Sequence, residues 1–157
     1  MSAQAQETWS DKTRILPDAL RKIPVAILIT HSPNPIYPEK TGEKNAPAKY
    51  VWKHSTTILS PHRDLTIIEA GSFIWYDTTG WKKNMQYTKE TFAKTFDCQN
   101  GLLQAGKTYI FKENYRWGNQ LYGGDALWYV IAADEEGIRY KGIALIETES
   151  TLQNIKP

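Results

Sequence analysis

The stretch "DALWYVIAADEEGIRYKGIALIETE" (Asp125–Glu149) decides the fold. Two runs rich in β-branched and aromatic residues flank Asp134-Glu135-Glu136-Gly137, a four-residue turn signal. Turn chemistry between two such runs predicts a β-hairpin. Both runs carry apolar residues at consecutive positions. A strand turns successive side chains to opposite faces, so apolar residues on both faces imply burial from both sides. A lone sheet in water cannot provide that, which suits packed layers. The turn is too short, and too poor in alternating oxygen ligands, to be a calcium loop.

Upstream the strand signals continue. "KYVWKHSTTILS", "RDLTIIEAG" and "SFIWYD" follow one another from Lys49, the last closed by "DTTGW", and "GKTYIFKEN" comes later. In the first of these, alternation places Tyr50, Trp52, His54, Thr56 and Ile58 on one face. "PVAILIT" (24–30) is a further buried strand bounded by proline. One helix is predicted at about 88–98, with Thr88 as N-cap and Phe92 and Phe96 four apart on one face. A short helical turn is expected after Pro17. Residues 31–49 hold Pro33, Pro35, Pro38 and Pro47 and are expected to form a long surface loop. Six or seven strands without βαβ alternation predict an all-β, antiparallel β-sandwich of immunoglobulin-like, Greek-key type, with a small β-barrel as the alternative. The expected organisation is an N-terminal extension (1–23, partly flexible), one domain (24–150) and a C-terminal tail (151–157). "WKHSTTILSPHRDLTIIEAGSFIWY" and "LQAGKTYIF" have the general look of small bacterial β-sandwich proteins, a resemblance that carries no site residue.

At 157 residues the chain can bury a core without disulfide or metal staples. A net charge of +2, with no Lys/Arg run longer than the pairs Arg21-Lys22 and Lys82-Lys83, argues against nucleic acid as a partner. The longest apolar run, Ile23–Thr30, is too short for a membrane span. Ala3-Gln4-Ala5 has the small-x-small pattern of a signal-peptide cleavage site, so both a cytoplasmic and an exported location with the signal removed stay open. The single Cys98 excludes an internal disulfide. Oligomeric state is not legible.

Two groups of residues could carry function. The first is "KENYRWGNQLYGGDALWY" (112–129), where Tyr115, Arg116, Trp117, Asn119 and Tyr122 crowd into a glycine-rich connection. Flat rings beside amide and guanidinium groups suit stacking on a sugar or a protein partner. The expected function is therefore a non-catalytic binding module for a carbohydrate or protein. The second group is His54, with His62, Glu69 or Cys98 as further ligands of zinc or copper, which would make a metal-binding protein or metal-dependent enzyme. Their spacing matches no ligand motif. Glu69 is expected on the side of Leu65 and Ile67, His62 on a water-facing turn, and no cofactor is required by any motif. Cys98 closes the helix at its C-terminal end, where the dipole disfavours a thiolate. No nucleophile elbow or Ser-His-Asp order is present, which argues against hydrolase chemistry.

Overall fold

The computed structural model describes residues 15–75 and 80–152. Among the described residues it is an all-β, sandwich-like fold of three antiparallel sheets with two short helices. The chain runs α1 (Asp18–Arg21), β1 (Leu28–Ser32), β2 (Pro38–Lys40), β3 (Tyr50–Trp52), β4 (Ser55–Leu59), β5 (Leu65–Trp75) and β6 (Lys82–Tyr87). It continues through α2 (Lys89–Thr95), a 3-10 turn (Gln99–Gly101), β7 (Leu102–Leu103), β8 (Thr108–Phe111), β9 (Arg116–Gly118), β10 (Gly124–Ala133) and β11 (Arg139–Thr148).

The β10–β11 hairpin is the centre of the largest sheet, ordered β11-β10-β5-β6, with β7 on the end of β5. Asp134 closes its turn by accepting hydrogen bonds at Oδ1 from the amides of Glu136 and Ile138, while Gly137 takes the positive φ of 82°. Both faces of this sheet are covered, as the consecutive apolar positions require. On one face Trp128, Val130, Ala132 and Ile146 meet Ile29 of β1, Ile58 of β4 and Tyr109 of β8, the inward residues of the sheet β1-β4-β8. Phe92 of α2 and Phe96, the C-cap that follows it, stack at 4.4 Å and close one end of this core. On the other face Phe73, Leu127, Tyr129, Ile131 and Leu145 are covered by Leu20, Leu16 and Ile23 of the N-terminal segment.

Several boundaries differ from the sequence expectation. The "KYVWKHSTTILS" run breaks at Lys53-His54 into β3 and β4, which belong to different sheets. The break is a corner, held where the Asn114 amide donates to the His54 carbonyl. The alternation nevertheless survives it, since Trp52, His54, Thr56 and Ile58 are all buried. "RDLTIIEAG" and "SFIWYD" are one strand through Gly71, not two; residues 76–79, including the end of that run and most of its turn, lie outside the described residues. Gly71 is there for close approach rather than for a turn, because a Cβ would stand 2.2 Å from the Met85 carbonyl oxygen of β6. Part of the proline-rich stretch is ordered against the sheet instead of looping free. Asn34 donates through Nδ2 to the Leu145 carbonyl and accepts at Oδ1 from the Glu147 amide, and Ile36 then pairs with Glu147 and Glu149. These contacts cover the outer edge of β11, which would otherwise present unpaired backbone. Pro38 begins the edge strand β2, where its missing N–H costs no ladder bond. α2 starts as expected, with Thr88 Oγ1 accepting from the Thr91 amide at 3.2 Å.

Candidate functional site

The aromatic stretch after β8 forms β9 in its middle, which completes the small sheet β2-β3-β9. Its register sorts the five expected residues onto two sides. Arg116 pairs with Trp52 and Trp117 with Val51, so Arg116 and Trp117 point to opposite faces. On the Arg116 side the guanidinium lies 5.4 Å from the Trp52 ring and 5.3 Å from that of Tyr122, and Tyr122 stacks on Trp52 at 6.4 Å. Trp52 is fully buried and donates through Nε1 to the Glu149 carbonyl. Gly118 belongs to this side, since a Cβ there would meet Tyr122 and Trp52 at 3.0 and 3.3 Å. Arg116 and Tyr122 thus form a cation–π layer over a core tryptophan, with Tyr122 itself 41% exposed. Asn119 instead fastens a loop. Its Oδ1 accepts from the Lys49 amide at 3.1 Å and ties the 41–49 segment to the end of β9.

The opposite side carries Trp117 and Tyr115. Trp117 is 42% exposed over buried Val51, and Tyr115 lies 6.4 Å from it with the rings tilted. In the same row, Glu39 pairs with Val51 across the sheet and forms a 3.1 Å ion pair with Lys53. Lys53 is raised above the ordinary lysine pKa by its hydrogen bond and charge interaction with Glu39. The result is a two-ring platform on a strand, bordered by one cation and one carboxylate. The platform sets one exposed ring, Trp117, and one half-buried ring, Tyr115, beside a charge pair on an element backed by the core.

The residues expected as alternative metal ligands are dispersed. His54 lies in the interior between β3 and β4, and His62 is exposed on the Ser60–Asp64 turn. Cys98 is buried with Sγ directed to the Leu102 carbonyl, and burial pushes its pKa up to about 11. Glu69 is on the opposite side of the sheet from Leu65 and Ile67, contrary to the simple alternation. A β-bulge, marked by the register shift between Ile131 and Ala132 in the partner strand, inserts an extra residue before Glu69 and flips it. There it accepts a hydrogen bond from the Tyr129 hydroxyl at 3.2 Å, and burial together with Glu69 raises the Tyr129 pKa to about 12. No group of three or more His, Cys, Asp or Glu able to hold a metal is present among the described residues.

The companion of His54 is a residue that the sequence patterning left unmarked, His31. It sits on the inward face of β1, two residues beyond Ile29, directly opposite Thr56 of β4. The period-2 spacing Ile27, Ile29, His31 was the available signal. His31 and His54 are 9% and 7% exposed, with ring centroids 5.5 Å apart. His31 Nδ1 is 2.9 Å from Thr56 Oγ1, which also accepts from Asn114 Nδ2 at 2.8 Å. Both nitrogens of His54 have no hydrogen-bond partner among the described residues. Burial lowers both pKa values to about 4; for His31 a hydrogen bond with the Ala144 backbone pulls the other way, and for His54 the neighbouring His31 adds to the depression.

Compared with known proteins, the chain matches no family model and no curated sequence. No described helix is long and apolar enough to cross a membrane.

Proposed function

We propose that this chain is a non-catalytic binding module that takes a carbohydrate on the open face of the β2-β3-β9 sheet. The observation that carries the reading is Trp117, a large ring left 42% exposed on a strand whose other residues are backed by the core. An exposed indole presents an apolar face to the C–H side of a pyranose, while the Lys53–Glu39 pair offers a donor and an acceptor for hydroxyl groups at its border. Tyr115 supplies a second surface at an angle, which suits successive sugar units rather than a single one. Of the five residues expected from sequence, Trp117 and Tyr115 act as contacts in this reading. Arg116, Tyr122 and Asn119 position the sheet and its adjoining loop. A protein partner is the second reading, favoured by the hot-spot character of exposed tryptophan and tyrosine.

The test is native affinity electrophoresis through gels containing soluble cellulose derivatives, xylan, mannan or chitosan. At least one polysaccharide retards the wild-type chain, and Trp117→Ala removes the retardation without changing the thermal midpoint by more than a few degrees. Wild-type mobility unchanged in every gel would sink the carbohydrate reading.

A further inference from the structure

We propose that a second copy of this chain pairs with the outer edge of β8 and joins two β1-β4-β8 sheets into one across a two-fold axis, independently of the Trp117 platform. Among the described residues β8 is the last strand of its sheet, paired with β4 on one side only. A last strand directs alternate N–H and C=O groups outward, where they are a template for another strand. Other sheet ends are managed. Asn34, Ile36 and the 24–27 segment cover β11, and β1 lies against β11. β2 begins with Pro38 and ends with Lys40, and β6 begins with Lys82-Lys83. β8 reads Thr-Tyr-Ile-Phe, with neither proline nor charge, and all four residue types favour a strand.

Beside that edge runs a groove of about 620 Å³, lined by residues 107–113 on one side and by Thr95, Phe96 and Asp97 on the other. Its lining is one continuous run of chain, so the groove follows the strand. α2 packs mainly on β5, β6 and the 3-10 turn, and its end flanks the groove without pairing with β8. Ile110 is 43% exposed on the outer face, while Tyr109 on the inner face is buried. That outer face continues from Ile110 to Thr57 on β4 and Thr30 on β1, with Leu59 and Leu28 in the next row. None of the three strands contains Lys, Arg, Asp or Glu. A second sheet can therefore extend this one without setting like charges against each other.

The flanking charges select the occupant, because they complement a copy of themselves. Directly opposed residues in an antiparallel pair face the same side, so a two-fold axis through the ladder sets one residue against its own copy. With Tyr109 on the axis, Ile110 would oppose Thr108, and Lys107 would oppose Phe111. With Phe111 there, Ile110 would oppose Lys112, and Tyr109 would oppose Glu113. With Ile110 on the axis, Ile110 meets Ile110, Thr108 meets Lys112, Tyr109 meets Phe111, and Lys107 meets Glu113. That register alone sets apolar against apolar, ring against ring and cation against carboxylate. Lys107 precedes the strand and Glu113 lies in the turn after it, both exposed, so two ion pairs bracket the ladder. A second copy supplies this order of charges by symmetry. Four residues make a short ladder, so the association is weak and depends on concentration.

Sedimentation equilibrium of the full chain, from low micromolar to near-millimolar concentration, reads the association. A reversible monomer–dimer equilibrium is expected. Lys107→Glu and Glu113→Lys each weaken the dimer about tenfold or more, because the axis places every substitution twice. The double variant restores it to within a few-fold of wild type. Ile110→Cys forms a disulfide-linked dimer on mild oxidation, whereas Thr57→Cys, one strand away from the axis on the same face, does not. None of these positions is buried, and circular dichroism checks that each variant folds. If a cysteine variant fails to fold, the charge-reversal series decides alone. A monomer at every concentration would leave the edge to an extended segment of another protein and would overturn the proposal. So would growth beyond the dimer, a dimer indifferent to both single reversals, a double variant that rescues nothing, or cross-linking of Thr57→Cys as readily as Ile110→Cys.

Discussion

His54 is a titratable group in the core, and its behaviour in acid follows from that. Its folded pKa of about 4, like that of His31, lies below the unfolded value of 6.5. The unfolded chain therefore binds more protons between these values, and stability must fall as pH drops through this window. The contribution of neutral burial is fully present above pH 6.5 and is largely lost near pH 4. A difference of this size corresponds to about 2–3 kcal/mol per histidine at pH 4.5. Urea unfolding at pH 7.5 and 4.5 measures it. His54→Phe is expected to lose less stability over this interval than the wild type, because one proton-linked term is gone. Equal losses in the two proteins would show that His54 titrates near its ordinary value in the folded state. Glu69 is a different kind of residue-scale lesson. Its position next to Tyr129 depends on one extra residue in β5, and no alternation rule applied to "LTIIEAG" could have placed it there.

At the scale of elements, what the sequence made legible is what local patterning encodes. The β10–β11 hairpin, the Thr88 cap and the inward face Trp52-His54-Thr56-Ile58 each depend on neighbours within a few positions, and each appears where expected. What was missed depends on distant partners. β6 (KKNMQY) is polar and exposed on nearly every residue, so it has no amphipathic signature; it is a strand because it lies beside β5. β9 is three residues defined by pairing with β3, and the cut between β3 and β4 is set by Asn114, sixty residues on from His54 in sequence order. The candidate platform was legible as a group of residue types, but its division between two sides needed the register of β9 against β3. The contact that seats β6 gives a prediction at this scale. Gly71→Ala would drive a methyl group to 2.2 Å from the Met85 carbonyl and 3.2 Å from the Tyr129 ring. The first neighbour is backbone, so the strands must separate locally, at a cost of about 1–3 kcal/mol or more. Thr88→Ala, which removes one capping bond, is expected to cost about 1 kcal/mol. Denaturant midpoints of the two variants should rank in that order; a neutral Gly71→Ala would mean that β6 is free to move.

Across the whole molecule, the large sheet is covered on its two faces by very different means. One face has a complete second sheet and α2; the other has a short N-terminal segment led by Leu20, which is 0% exposed. That segment is joined to β11 through its backbone at Pro24, Ala26 and Ile27, and the Lys141 ammonium donates to the Leu20 carbonyl. A sheet whose second face carries Phe73, Leu127, Ile131 and Leu145 cannot leave that face in water, so the segment acts as part of the fold rather than as an appendage. Leu20→Ala is accordingly expected to destabilise the entire molecule by about 2–5 kcal/mol, the usual range for emptying a buried leucine site. It should do so cooperatively. Unfolding followed by tryptophan fluorescence and by far-ultraviolet circular dichroism should stay coincident in the variant, as in a two-state transition. A cost below about 1 kcal/mol would mean that the N-terminal segment caps the sheet without holding it. Separated transitions would mean instead that the two cores unfold independently. In that case Trp117, whose sheet is tied to the first core through Trp52, would keep its binding surface after the second core had opened.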